Sequence, residues 1–419
     1  MISVEEARRY VLSQCRRLAP VEVPASGALG LVLAQPVRAA EDVPPFANSS
    51  MDGYALRAAD VVAVPARLRV TAELMAGDDP GALVVGEGEA VRIMTGAVMP
   101  TGADAVCMVE HTRTEAEGRS VVVDEAVAPG TYVRPAGSDV ATGDEVFPSG
   151  ERVRAAHVSV LASLGLGHVS VYPRPRVGVV STGDELASEP GPLAVGKIRD
   201  SNRPGLLAQL HADGFEPIDL GRAPDDADAF AEVIEQAVTA CDAVLTSGGV
   251  SVGDRDMVKI VLEKLGGATA RWLQVAVRPA KPFAFSTVGP GQVPVFGLPG
   301  NPVSALVSYE LFARPALRLM AGHRTLGRPV IRARAGADLR RPVDGKLHLV
   351  RVTLTPGPDG TFVARPSGGQ SSHQMLALAG ANALVALPDG DGVAAGEDVT
   401  AWLLDPDSLG GAVAEPGPS

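Results

Sequence analysis

Aromatic residues are scarce in this chain. Phe, Tyr and Trp make up 4% of its 419 residues, so the core is built from Val, Leu and Ala. Cysteine is almost missing. Cys15, Cys107 and Cys241 are scattered and form no CxxC, which excludes a cysteine-based metal site and suits a reducing cytoplasm. A basic excess is also lacking. The formal charge of −12 argues against a general nucleic-acid binder, although local cations and backbone N–H groups can still hold an anion. No apolar run reaches the ~18 residues of a membrane span. The first residues, Met1-Ile2-Ser3-Val4-Glu5-Glu6, carry acids and no apolar stretch, so they do not read as a signal peptide. The seven histidines form no HxxxH or HExxH, and no GxxxxGK[ST] loop occurs. A His-ligated zinc site and a P-loop ATPase are thereby set aside. The expectation is a soluble cytoplasmic protein with no membrane and no nucleic-acid partner.

What is abundant is apolar and turn-forming. Hydrophobic residues reach 46%, spread along the chain, which argues against disorder. Gly (47) and Pro (34) together far exceed the usual ~12%, so many strands and tight loops are expected. The length suggests two to four domains.

Ser3, with Glu6 three residues on, predicts a capped helix over 3–18. Short alternating runs such as Ala66-Arg67-Leu68-Arg69-Val70 and Ser120-Val121-Val122-Val123 predict a β domain over 54–138. It is inserted in a mixed N-terminal domain (1–53 and 139–172) whose first helix should pack with a helix near 155–164. From Arg174 strands and helices alternate, which predicts a doubly wound, parallel α/β domain over 173–327. Short strands return over 328–407 as a C-terminal β domain. Residues 408–419 read as a disordered tail.

Three loops of the α/β segment follow strands: Ser181–Glu185, Ser247–Asp256 and Gly297–Ser304. In open α/β sheets the carboxyl ends of strands form the ligand crevice, so the loops should converge. Glycines admit backbone N–H groups close to oxyanions, hydroxyls add donors, and a helix N-terminus adds its dipole. Ser247, Gly248, Gly249, Ser251, Pro299, Gly300, Asn301 and Ser304 are the candidate contacts. Any one of these loops alone reads equally well as a turn or an N-cap. Glu185, Asp254 and Asp256 beside a phosphate make sense if Mg²⁺ bridges them. Arg278-Pro279-Ala280-Lys281-Pro282 places two cations at a strand entrance, either as a solvated edge or as an anion contact. Asn48–Ala55 contains Asp52-Gly53, which reads either as a hairpin turn or as a site loop.

Taken in order, these motifs resemble a known family. Pro45–Ala55, Arg92–Ala97 with Pro100–Val106, Ser181–Leu186, Asp200-Ser201-Asn202, Ser247–Asp256 and Gly297–Ser304 are similar to the signatures of the molybdopterin molybdotransferases. These are the bacterial MoeA enzymes and the E domain of gephyrin. The resemblance covers about residues 5–405. It implies an elongated homodimer and a Mg²⁺-dependent transferase that joins molybdate to adenylylated molybdopterin, yielding the molybdenum cofactor and AMP. It carries functional roles to Asp52, Thr95, Arg134, Asp139, Glu185, Asp225, Asp256, Arg351 and Ser372. In this reading Asp52, Thr95, Glu185, Asp225, Asp256 and Lys281 serve catalysis, and Asp225, Asp256 and Glu185 hold the metal. Arg134, Asp139, Arg278, Arg351 and Ser372 join the loop residues in binding substrate. Asp52 and Thr95 would reach the α/β loops of the partner subunit. A molybdopterin adenylyltransferase and molybdoenzyme chaperones are the implied partners.

The chain departs from the family where relatives carry lysine or Asp: it has Gln274, Arg278 and Ala47. Arg binds oxyanions through a planar fork rather than a point charge, which makes Lys281 the firmer anion contact. Two rivals remain. An adenylyltransferase would share the glycine loops but needs neither Met51–Tyr54 nor 328–405. A receptor-tail scaffold would call for an appended interaction domain.

Overall fold

The computed structural model describes residues 1–187, 191–249, 257–357 and 359–409. The chain divides into two compact units. One comprises Met1–Val21, Gly30–Val32 and everything from Val171; the other comprises Glu22–Leu29 and Leu33–Ser170. Among the described residues, no helix is long and apolar enough to cross a membrane.

In the larger unit the alternating segment forms a six-stranded sheet. Its spatial order is Glu216–Ala223, Arg176–Thr182, Ala243–Ser247, Val293–Leu298, Pro282–Val288, Arg271–Gln274. Neighbours among the first four strands run parallel. The last two strands do not, because Pro282–Val288 and Arg271–Gln274 each pair antiparallel with the strand before in this order. The expected all-parallel sheet is therefore mixed. Only a few residues separate Val288 from Val293, too few for the crossover that parallel pairing needs.

Helices cover both faces, as a doubly wound sheet requires. Val179 and Leu245 point to one core, with Leu206 and Leu210 of Asn202–Ala212 and with Leu311 and Leu317 of the helical run 302–320. Val180 and Val244 point to the other, with Ile234 and Val261 of the helices Ala227–Ala240 and Met257–Gly266. The strand period of two distributes these residues between the cores.

The first helix, Val4–Gln14, carries the expected reciprocal cap. Ser3 Oγ accepts from Glu6 N–H at 3.1 Å, and Glu6 Oε2 accepts from Ser3 N–H at 2.8 Å. Such a cap contributes about 1 kcal/mol. The helix packs within the larger unit. Its stripe of Val4, Ala7 and Val11 joins the α/β core beside Leu317, and Arg8 Nε donates to Leu311 O. The helix expected near 155–164 forms at Ala155–Ser163 in the other unit.

Five C-terminal strands close on themselves, because Leu347–Pro356 pairs with both Phe362–Pro366 and Ala383–Leu387. The basic strand Val277–Arg278 adds to this barrel, parallel to Leu347–His348. That pairing carries Arg278 from the α/β segment to the barrel's edge. The smaller unit is built on a six-stranded mixed sheet that includes Gly53–Leu56, Ala66–Leu74 and Glu89–Ile93.

Candidate active site

The three strand-end loops converge. A cavity of about 550 Å³ is lined by Thr182 and Glu185 from the first loop, Ser247, Gly248 and Gly249 from the second, and Gly300, Asn301 and Pro302 from the third. Backbone geometry explains the glycines of the second loop. Gly248 has φ +95°, and a Cβ there would lie 2.4 Å from Thr182 O. At Gly249, φ is +64° and a Cβ would meet Val258 at 2.7 Å. No L side chain fits either position without displacing its neighbours.

Asn202 ties the loops together. Its Nδ2 donates to Ser247 Oγ at 2.7 Å and to Gly300 O at 2.8 Å. The carbonyl can only accept, so the amide must face it with its NH₂ group. Asn202 Oδ1 and the hydroxyl Oγ1 of Thr182 are left buried with no hydrogen-bond partner. Asp200, on the same wall, is already committed: Ser181 Oγ donates to it at 2.7 Å and Arg203 Nε at 3.0 Å.

A second cavity, of about 480 Å³, is lined by Arg278, Lys281, Ser304 and Ser372, and by Asn301 and His373, which also line the first. Lys346 contributes a third cation, paired with Asp344 at 2.7 Å. The cations at the strand entrance are exposed, and both line this cavity.

Arg351 lines neither cavity. It is fully buried beneath the loop that carries Ser372, and its Nη2 donates to Gly369 O at 2.7 Å and to Ser371 O at 3.2 Å. Its Nε and Nη1 are buried without a partner. Burial pulls its pKa down. A desolvated guanidinium with two unused donor nitrogens sets a positive field under the cavity floor. Gln370 braces the same loop by accepting from Arg351 N–H and donating to Arg351 O. Ser372 O accepts from Val303 N–H at 3.1 Å, which joins the loop to the start of the helical run 302–320.

Two further candidates, Pro299 and Asp225, line neither cavity. Pro299 is buried between strand and loop. Asp225 is exposed ahead of the helix Ala227–Ala240. Ser251 and Asp256 lie outside the described residues, as does Asp254. Among the described residues, no group of three His, Cys, Asp or Glu side chains could hold a metal.

In the smaller unit, Asp52 and Thr95 are in contact. Asp52 Oδ1 accepts from Thr95 N–H at 2.7 Å and from its hydroxyl at 2.8 Å. The backbone bond, then the hydroxyl bond, holds the Asp52 carboxyl below the usual carboxylate range. Asp52-Gly53 is not the turn of a two-residue hairpin. Asn48–Ser49 pairs with Val133–Arg134, whereas Gly53–Leu56 pairs with Glu89–Ile93 and Ala105–Met108. Gly53 is required because a Cβ would lie 2.0 Å from Cys107 O. Arg134 and Asp139 are exposed, and Asp139 N–H donates to Val43 O at 3.0 Å.

Three family models match the chain in order. They are the MoeA N-terminal region (domain I and II) over residues 2–165, a probable molybdopterin binding domain over 178–319, and the MoeA C-terminal region (domain IV) over 332–404. A molybdopterin molybdenumtransferase from Nostoc sp. is 38% identical over 391 residues, spanning 90% of this chain and 87% of its own length. The chain belongs to the MoeA family. Molybdopterin molybdenumtransferase 2 of Mycobacterium tuberculosis is likewise 38% identical, over 96% of this chain and all of its own. Among solved structures, the molybdopterin biosynthesis MoeA protein from Pyrococcus horikoshii OT3 matches with a TM-score of 0.80 at 29% identity, covering 96% of this chain and all of the other. The two cavities belong to this MoeA fold, and the multidomain α/β architecture read from the sequence is that of the family.

Asn202 and His373 were not among the sequence candidates. Asn202 stood in a family-like motif, Asp200-Ser201-Asn202, but nothing local marks its cross-linking role. His373 follows Ser372 with no spacing that marks a site.

Proposed function

We propose that this MoeA-family chain transfers molybdenum from molybdate to adenylylated molybdopterin, releasing AMP and yielding the molybdenum cofactor. The observation that carries the reading is the pairing of two cavities. One is walled by glycine backbone and the start of a helix; the other is walled by Lys281 and Arg278; the two share Asn301 and His373 as lining residues.

The division suits the substrates. Backbone N–H groups of Gly248, Gly249 and Gly300 and the positive end of the helical run 302–320 favour phosphate oxygens. Lys281 and Arg278 attract the molybdate dianion, with hydroxyls from Ser304 and Ser372 and the field of Arg351 beneath. Glu185 offers a carboxylate to the cavity that Thr182 and Asn202 also line with oxygens. That all-oxygen set fits Mg²⁺, and Asp256 of the same loop system joins it in this reading. When bound, Mg²⁺ neutralises charge that develops on the phosphate bridge. Asp52, Thr95, Arg134 and Asp139 serve the same reaction. Asp225 keeps its proposed metal role only through conformations other than the one described. The chain acts in the cytoplasm as a homodimer, and light scattering that finds a monomer at micromolar concentration would refute the dimer.

The deciding experiment follows AMP release from adenylylated molybdopterin with and without molybdate. Molybdate-dependent AMP formation is expected. ATP consumption with free molybdopterin, and no response to molybdate, would assign the chain to adenylyl transfer instead.

A further inference from the structure

Among the described residues, Asn301 and His373 alone line both cavities. Neither side chain has a hydrogen-bond partner among the described residues. Asn301 holds the N-cap position of the helical run 302–320, where an Asn side chain usually accepts from a backbone N–H. It makes no such bond here. The exposed ring of His373 has no hydrogen-bond or ion-pair partner among the described residues. His111, His157 and His348, by contrast, each lie within 3.5 Å of a carboxylate.

The backbone that presents His373 is nevertheless fixed. Arg351 holds Gly369 O and Ser371 O, Gln374 Oε1 accepts from Ser371 N–H at 2.9 Å, and Ser372 O is bound by Val303 N–H. A solvated histidine of no consequence would not need a loop anchored at so many points. A ligand filling both cavities would contact these two polar side chains.

We propose that His373, together with Asn301, contacts the phosphate bridge of a substrate that spans both cavities. This inference rests on the function proposed above. The ligand class is an elongated anion with a pyrophosphate-type link, one end in the glycine-walled cavity and the other among the cations. The imidazole donates to a bridge oxygen, and Asn301 Nδ2 supplies a second donor. A monomeric oxyanion fits in the cationic cavity alone and has no bridge to offer His373.

The test uses two probes on the full chain, its His373→Ala variant and its His373→Gln variant. Tungstate, which matches the charge and shape of molybdate, fills the cationic cavity. Adenylylated molybdopterin must span both. His373→Ala is expected to weaken the pterin by about fivefold or more and tungstate by less than about twofold, the scale of one lost hydrogen bond. His373→Gln retains an N–H donor and should recover most of that loss, which a purely structural role for the ring does not predict. Unchanged pterin binding in both variants overturns the proposal. So does an equal loss for both probes, which places His373 in the cationic cavity alone. Wild-type chain that binds neither probe overturns the proposed function and this inference with it; wild-type binding with indifferent variants overturns only the role of His373.

Discussion

Asp52 and Thr95 form a closed pair in which a single carboxylate oxygen takes both the backbone N–H and the hydroxyl of one residue, at 2.7 and 2.8 Å. The pair is exposed, so it adds little to stability. Its effect is to fix the direction of the second carboxylate oxygen and to keep the group ionised. Asp52→Asn retains an acceptor for both bonds and removes only the charge. Melting should shift by less than about 2 °C. AMP release should fall by about tenfold or more, equivalent to about 1.4 kcal/mol of transition-state stabilisation. Turnover at the wild-type rate would show that the charge serves only to hold Thr95.

The same pair shows where reading the sequence stops. Asp-Gly is a strong local turn signal, yet Gly53 is needed for a non-local reason, the close approach of Cys107 O. Features set by neighbours in sequence were legible: the Ser3–Glu6 cap, the strand and helix periods, and the convergence of loops at the carboxyl edge of a sheet. The antiparallel edge was missed, although the short link from Val288 to Val293 signals it. Asn202 and His373 were not, because their importance arises from which loops meet. The burial of Arg351 beneath its loop depends likewise on how the barrel closes.

Gly248 makes a sharper test of the glycine-walled cavity. An alanine there needs a conformation L residues avoid and sets a methyl against Thr182 O. Gly248→Ala should cost about 1–3 kcal/mol in denaturant unfolding and depress adenylylated-molybdopterin binding. Gly77→Ala is the control. It has similar strain at φ +93° but open space around the added methyl, so it should destabilise less and leave binding untouched. Equal behaviour of the two variants would mean that the close approach to Thr182 does not matter.

Asp213 bears on stability rather than catalysis. It is nearly buried and accepts from Tyr309 at 2.8 Å and from Arg314 Nε at 2.9 Å, with Arg328 at 3.0 Å. Burial alone would raise its pKa, but Arg328 and Arg314 outweigh it and hold the carboxyl below its ordinary value. Asp213→Asn removes one of two carboxylates that face Arg314 and Arg328, Glu310 being the other, and should cost about 1–3 kcal/mol. Because the folded pKa is depressed, the contribution is complete above the ordinary carboxylate pKa near 3.9 and is lost as pH falls through the folded value. Wild-type and variant stabilities should therefore converge in acid. A difference between them that stays constant down to about pH 2 would contradict the ion-pair account.

Metal dependence is the remaining test of the oxygen-walled edge. Glu185 is exposed and lines the first cavity beside Thr182 and Asn202, whose buried oxygens have no protein partner. Hard oxygen donors of this kind suit Mg²⁺ and give no soft ligand that would favour zinc. Excess chelator should abolish AMP release, and added Mg²⁺ should restore it. Glu185→Gln removes the charge and keeps the size. It should raise the Mg²⁺ concentration needed for half-maximal rate by about fivefold or more, the effect of about 1 kcal/mol in binding. The melting temperature without metal should stay unchanged, since the side chain is solvated. A rate that recovers at saturating Mg²⁺ would place Glu185 in metal binding alone. A rate that stays low at every Mg²⁺ concentration would give the carboxylate a direct part in the chemistry. Full activity in excess chelator would rule out the metal itself, and the oxygen wall would then have to face substrate unaided.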